Sequence, residues 1–328
     1  MNSKKPALAT ITGLGILSLV LTGCGGVQTA SGGEDFPTKS VNLVAPSSPG
    51  GSTDLISRAL ASSMEEPLGQ SVVVENKAGA NTAVGTKEVL NSTGDGYSTV
   101  LAAESLFAIT PLFVEDADAK TMEDMTVVAP VSEEEYILVV NKDSGITTLD
   151  QLLEKQDIKY ATSGAGTGGQ FGQAALFSLA GKNATDVPFD GGSAAVTAVL
   201  GNHADATATQ LAEVKAQIDA GELVPLAVFS DERSQYFPDV PTVEEAGHDV
   251  DVKQRRWMAV PTDTPEDVVS TLRESVETAK DSPEFQEFLE TNLIGEWDAE
   301  PSEVVSTVEE DTRTYAELAE EYGIGGTE

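Results

Sequence analysis

Val41-Asn42-Leu43-Val44-Ala45-Pro46-Ser47-Ser48-Pro49-Gly50-Gly51-Ser52-Thr53-Asp54 is the stretch on which the reading of this chain turns. Its first five residues form an apolar run of strand length, the Pro, Ser and Gly run is a turn, and Leu55 to Met64 places apolar residues at helical spacing. Val72-Val73-Val74 is a further short buried-strand candidate. The strand, loop, helix, strand rhythm continues to Ala129 and predicts an α/β layer on a mainly parallel sheet.

Outward from that stretch, Tyr136-Ile137-Leu138-Val139-Val140 opens a second unit, whose first helix is announced by the capping-box spacing of Thr148 and Gln151. The α/β alternation runs on to about Val250. Helix starts follow at Thr264-Pro265, at Ser282-Pro283 and at Ser302 ahead of Val304, so the last third reads as mostly helical.

Two more glycine-rich loops sit between a strand candidate and a helix candidate, as Pro46 to Asp54 does. They are Ser163-Gly164-Ala165-Gly166-Thr167-Gly168-Gly169-Gln170 and Phe189-Asp190-Gly191-Gly192-Ser193. Glycine lets the backbone come close to a ligand, Ser and Thr add neutral donors, and a helix N-terminus offers unpaired amides with partial positive charge. Such loops can hold a carboxylate without a cation. Any one of them is equally a tight turn, and three in one chain favour a ligand site. G-x-x-x-x-G-K-[ST], H-E-x-x-H and G-x-S-x-G are missing from the sequence. With His203 and His248 the only histidines, nothing in the sequence calls for catalysis, a cofactor or a metal.

Lys4 and Lys5 precede the apolar run Ile11 to Leu21, which ends in Leu21-Thr22-Gly23-Cys24 and holds the only cysteine. This has the charge order and length of an export signal. Residues Gly25 to Asp35 read as a flexible tether. Removal of residues 1 to 23 takes two lysines and no acid, moving the formal charge from −35 to −37. A surface so acidic excludes nucleic acid and anionic headgroups as charge-driven partners. One cysteine excludes a disulfide framework, and about 300 remaining residues suffice for two packed domains. Against this acidic background Lys253, Arg255 and Arg256 cluster. Strand alternation sends Arg255 and Arg256 to opposite faces, so at most one enters a given cleft, and a solvated, acid-paired cluster is the alternative.

PGGSTD at 49 to 54, VVVENKAGA at 72 to 80, GDGY at 94 to 97, VPFDGG at 187 to 192 and PDVPTVEEAG at 238 to 247 resemble, in this order, the solute-binding proteins of tripartite tricarboxylate transporters, the Bug family. Leu21 to Cys24 likewise resembles a lipobox, which implies acylation at Cys24; cleavage near Ala30 with Cys24 discarded is the alternative. The family resemblance implies a periplasmic-binding-protein-like fold of type II, with two α/β domains flanking a ligand cleft. It places a signal peptide at 1–23, a tether at 24–36, a discontinuous domain 1 at 37–135 and 254–328, and domain 2 at 136–253. Carried over residue by residue, it makes Ser47, Gly50, Gly51, Ser52, Thr53 and Asp54 ligand-binding in the first loop. The second loop supplies Ser163, Gly166, Thr167 and Gly168, with Thr167 the clearest hydroxyl, and the third supplies Gly191, Gly192 and Ser193. Arg256 matches the arginine of the family's Trp-Arg-Gly motif, although here the order is Arg255-Arg256-Trp257. The implied function is capture of a small di- or tricarboxylate, citrate-like, by a monomeric, lipid-anchored extracytoplasmic receptor without a cofactor. The implied partners are a large and a small permease subunit. A sensory lipoprotein and an extracytoplasmic hydrolase are the competing readings.

Overall fold

The computed structural model describes residues 36–116 and 119–326; Cys24, the export signal and the tether lie outside the described residues. These described residues make one compact unit. The quoted stretch folds as read. Strand β1 (Val41–Ala45) leads through the Pro46–Gly51 turn into helix α1 (Ser52–Leu68), which ends at Gly69, whose left-handed φ of 68° lets its amide reach the carbonyls of Glu65 and Glu66. β2 (Val72–Asn76) and β3 (Ser98–Ala103) pair in parallel on either side of β1. Helix α2 (Ala83–Leu90) joins them.

Beyond β3 the sheet changes character. β9 (Lys253–Pro261) pairs antiparallel with β3, and β4 (Met125–Asn141) pairs antiparallel with β9. The strand expected to begin at Tyr136 is thus the second part of a 17-residue strand. Its partners change at that point: Glu135 lies opposite Lys253 of β9, whereas Tyr136 lies opposite Gln210 of β7 (Ala206–Gln210). From Ile137 onward β4 also pairs antiparallel with β8 (Leu223–Val228). β5 (Asp157–Thr162) then joins β7 in parallel and β6 (Asn183–Pro188) joins β5.

Alternation along these strands builds separate cores on the two faces. Leu101, Met258 and Val260 pack with Ile56, Leu60 and Met64 of α1 and with Val269, Leu272 and Val276 of α9 (Glu266–Lys280). Val100, Ala102, Trp257 and Ala259 face the other way, toward Val89 of α2 and Phe107 of α3 (Glu104–Ala108). In β4, Leu138 and Val140 face α6 (Gly168–Leu179), while Ile137 and Val139 face α7 (Gly192–Leu200) and α8 (Leu211–Asp219). Each buried Leu, Val or Ile contributes about 1.5–3 kcal/mol, so the sidedness of these patterns fixes strand register.

Helix starts differ from expectation in detail. Thr148 caps α5 (Leu149–Leu153) by accepting from the Gln151 amide, but the Gln151 side chain accepts from Thr147, so only half of the expected box forms. Ser282 caps α10 (Pro283–Thr291) as read. The last helix, α11 (Pro301–Tyr322), begins before Ser302: Glu300 and Glu303 close a reciprocal cap, because a carboxylate at the N-cap accepts as well as a hydroxyl does. Val304 and Val308 of α11 pack beside Trp257, whereas Tyr315 packs against Phe171 of α6 in a tilted ring pair with centroids 4.9 Å apart, so this helix serves the cores of both parts of the sheet.

Candidate functional site

The three glycine-rich loops all run from the C-terminal end of a strand to the N-terminus of a helix: β1 to α1, β5 to α6 and β6 to α7. In an α/β sheet this is where helix amides converge. They meet on one cleft of about 410 Å³, whose walls include Ser47, Gly50, Gly51, Ser52, Thr53, Ser163, Thr167, Gly191, Gly192, Ser193 and Arg256. That volume suits a small metabolite.

The first loop is held from behind by Asp54. Its Oδ2 accepts from the Gly50 amide at 2.7 Å, its Oδ1 accepts from Asn76 at 2.8 Å, and Arg58 pairs with it at 2.9 Å. Burial pushes the Asp54 carboxyl up, but the Gly50 amide and the Arg58 and Asn76 donors outweigh it and leave its pKa below the usual aspartate value. Asp54 is therefore placed as a brace of the loop, and it is not part of the cleft wall. Gly50 has φ +82°, a conformation that suits glycine at this turn. Ser47 Oγ and, from the facing loop, Thr82 Oγ1 are buried without a hydrogen-bond partner among the described residues, and both residues line the cleft. Buried hydroxyls left in this state are donors for a ligand.

In the second loop Thr167 lines the cleft, but its hydroxyl donates to the Gly164 carbonyl at 2.9 Å and accepts from the Gln170 amide. The Gly164 carbonyl takes the proton of this hydroxyl and the hydroxyl oxygen caps the helix, which corrects the expected place of Thr167 as the clearest ligand hydroxyl. Gly166 and Gly168 stand back from the cleft wall. The Gly166 amide donates to Gln170 Oε1 at 2.8 Å, and a Cβ on Gly168 would sit 2.6 Å from the Tyr136 ring, so both glycines serve close packing. In the third loop Gly191, at φ +97°, caps α7 without a side chain, leaving helix amides open toward the cleft.

Arg255 and Arg256 do point apart. Arg256 is 4 % exposed, donates through Nε to Thr53 Oγ1 at 3.2 Å and pairs with Glu134, itself buried. Burial lowers the pKa of Arg256. Glu134 also accepts from Ser52 Oγ. Arg256 thus enters the cleft wall already neutralised by a carboxylate, which the sequence reading did not foresee. Arg255 lies on the other side of β9 and pairs with Glu104, Glu133 and Asp311, with its guanidinium over the Trp297 ring.

Sequence reasoning missed Thr82, Asn81, Tyr136, Gln210, Glu213 and Gln254, which line the same cleft. Gln210 and Glu213 stand at another strand-to-helix junction, between β7 and α8, where no glycine marked the position. Ala80, Asn81 and Thr82 carry φ values of +46°, +44° and +71°, a left-handed run that bends this loop over the cleft. On its far side lies a larger, more apolar cavity of about 650 Å³ that shares Asn81, Ser163, Thr167 and Asp190 with the cleft. The glycine loops and open amides converge on the smaller one. Among the described residues no group of three or more His, Cys, Asp or Glu is placed to hold a metal ion, and no helix is long and apolar enough to cross a membrane.

Residues 56–324 match the model of the tripartite tricarboxylate transporter family receptor. Protein BugT of Bordetella pertussis is 31% identical over 242 residues, covering 72% of this chain and 74% of that protein. Among solved structures, periplasmic binding protein BugD superposes with a TM-score of 0.81 at 28% identity, over 89% of this chain and all of that one. MatC from Rhodopseudomonas palustris, with bound malate, gives 0.78 at 26% identity over 86% of this chain and 99% of that one.

Proposed function

Because the chain belongs to the tripartite tricarboxylate transporter receptor family, a family of extracytoplasmic solute-binding receptors and not of enzymes, we propose that it captures a small di- or tricarboxylate, citrate-like in size, between its three glycine loops. The observation that carries this is the convergence of three strand-to-helix loops on one cleft together with the unpartnered hydroxyls of Ser47 and Thr82. Helix amides and hydroxyls hold a carboxylate by hydrogen bonds to the charged form, each worth about 1.5–3 kcal/mol. Ser47, Gly50, Gly51, Ser52, Gly191, Gly192 and Ser193 are the proposed ligand contacts. Arg256, paired with Glu134, orients Thr53 in the cleft wall. The formal charge of −37 on residues 24 to 328 is screened beyond about 8 Å at physiological salt, so these local donors decide affinity.

The change of β4 partners between Glu135 and Tyr136 supports two lobes, 37–135 with the strand and helices from 254 on, and 136–253, that close over the ligand. α11, which contacts both cores, bridges them. The receptor works as a monomer that delivers its ligand to a large and a small permease subunit. It is held at the outer face of the membrane by acylation of Cys24, and fatty-acid labelling tests this: label retained by Cys24→Ser contradicts the anchor.

A thermal-shift panel of carboxylates tests the capture itself. A true ligand at a hundred times its Kd stabilises by about 2.7 kcal/mol. If no small carboxylate raises the melting temperature, the proposed function is wrong.

A further inference from the structure

Glu213 stands in the first turn of α8 and presents its carboxyl to the cleft. It lies so close to the start of α7 that a Cβ on Gly192 would come within 1.9 Å of its Oε2. The Thr209 hydroxyl donates to that same oxygen. A carboxylate has about four acceptor positions, so one donor leaves most of them open.

Among the described residues no cation pairs with this group. α8 packs against α7, β4, β7 and β8. The sequences of α7, β7 and β8 hold no charged residue, and β4 brings Tyr136 and the acids Glu133, Glu134 and Glu135. The Tyr136 hydroxyl donates to Gln254 Oε1 at 3.2 Å. On α8 itself Lys215 pairs with Asp219. Among the described residues Arg256 is the one cation of the cleft wall and is bound to Glu134, while Asp190 adds another acid to the wall. Burial raises the pKa of Glu213 and the Thr209 hydroxyl only partly offsets it, as befits a carboxyl without a counter-charge. One side of the cleft therefore offers donors alone, at Ser47, Thr82 and the first-loop amides, while the side of the third loop also carries acceptors, at Glu213 and Asp190.

We infer that Glu213 sets the specificity of this cleft: the bound carboxylate carries a hydrogen-bond donor, a hydroxyl or an ammonium on a carbon next to a carboxylate, and Glu213 accepts from it. The inference rests on the carboxylate-capture reading. A ligand without the donor would leave Glu213 against an anion with no donor beyond Thr209, and a site built around a substrate donor rejects the analogue that lacks it.

Titration calorimetry on matched pairs tests it, with malate and aspartate each against succinate, and citrate against tricarballylate, which lacks only the hydroxyl. In the wild-type protein at least one donor-bearing compound binds about tenfold or more tightly than its partner. In Glu213→Ala that ratio falls below about threefold, and Glu213→Gln, which keeps the shape, lowers the preference for the ammonium of aspartate most, because the charge is gone. The ratio within a pair, and not affinity alone, is the readout, so a general loosening of the cleft does not imitate the result. Equal binding within every pair in the wild type, or an unchanged ratio in Glu213→Ala, overturns the role of Glu213 and leaves carboxylate capture standing. Failure of all five compounds to bind overturns both.

Discussion

Asn81 Nδ2 donates to the carbonyl oxygen of Gly166 at 2.7 Å, joining two loops that are 85 residues apart and that flank the cleft from opposite parts of the sheet. Thr110 Oγ1 donates to the same carbonyl at 3.2 Å, and the tight fit of Gly166 on Thr110 leaves no room for a Cβ, which would lie 2.8 Å from the Thr110 Cα. The contact is a tie across the mouth of the cleft. Glycine accepts the φ of +44° found at position 81, so Asn81→Gly removes the side chain without adding backbone strain. Small-angle scattering of that variant without ligand is expected to show a larger radius of gyration than wild type, and its affinity for carboxylate is expected to fall several-fold. An unchanged radius with unchanged affinity would show that the tie does not hold the lobes.

Arg256 and Arg255 separate binding from stability. Arg256→Ala strands Glu134 in the interior, and breaking a buried pair in this way costs about 3–5 kcal/mol. Arg256→Met combined with Glu134→Gln removes both charges together and should recover most of that stability, while ligand affinity stays at least about tenfold below wild type. Arg255→Ala should leave affinity within about threefold of wild type, because it lies on the far side of β9. Chemical denaturation and calorimetry on the same samples distinguish the two residues.

The Arg255 cluster also predicts a pH dependence. Glu104 is fully buried, and burial together with Asp311 holds its pKa well above the ordinary glutamate value despite Arg255. An acid whose folded pKa is raised contributes its stability below the unfolded pKa and loses it as pH rises through the folded value. Arg255→Met withdraws the opposing cation and raises that folded pKa further. Its destabilisation relative to wild type should be about 3–5 kcal/mol at pH 8 and clearly smaller near pH 5, read from urea melts at the two pH values. A penalty independent of pH would contradict this account of Glu104.

Two neighbouring glycines of the second loop should respond differently from one of the third. A Cβ on Gly169 would lie 2.3 Å from the Ala208 carbonyl oxygen, a backbone atom of β7 that cannot move alone. On Gly168 it meets the Tyr136 ring. Gly169→Ala is expected to destabilise by about 1–3 kcal/mol or more. On Gly192 the obstacle is the flexible end of Glu213, so Gly192→Ala should keep its melting temperature near wild type while ligand binding weakens, because Glu213 must leave its place. Melting curves that rank the two variants the other way would contradict the packing described.

Much of this was legible in the sequence because the signals were local. The apolar runs at Val41 and Val72, the glycine loops before α1, α6 and α7, and the Ser282 cap each depend on a few adjacent residues. The facing of Arg255 and Arg256 followed from strand alternation alone. What was not legible depends on residues distant in sequence. The length of β4 and its change of partner come from β7, β8 and β9, and the neutralisation of Arg256 comes from Glu134, 122 residues earlier. Thr167 looked like a free hydroxyl because the sequence does not reveal that Gly164 takes its proton. Glu213 was indistinguishable from the other 53 acids until the fold set it beneath Gly192.

A crystal structure of the protein with the carboxylate that stabilises it most is the most direct test of the central claim. The account predicts a carboxylate group within hydrogen-bonding distance of the Ser47 and Thr82 hydroxyls and the amides of the first and third glycine loops. A ligand found instead in the larger cavity on the far side of Asn81, beside Lys87 and Lys120, with Ser47 and Thr82 still unpartnered, would contradict it.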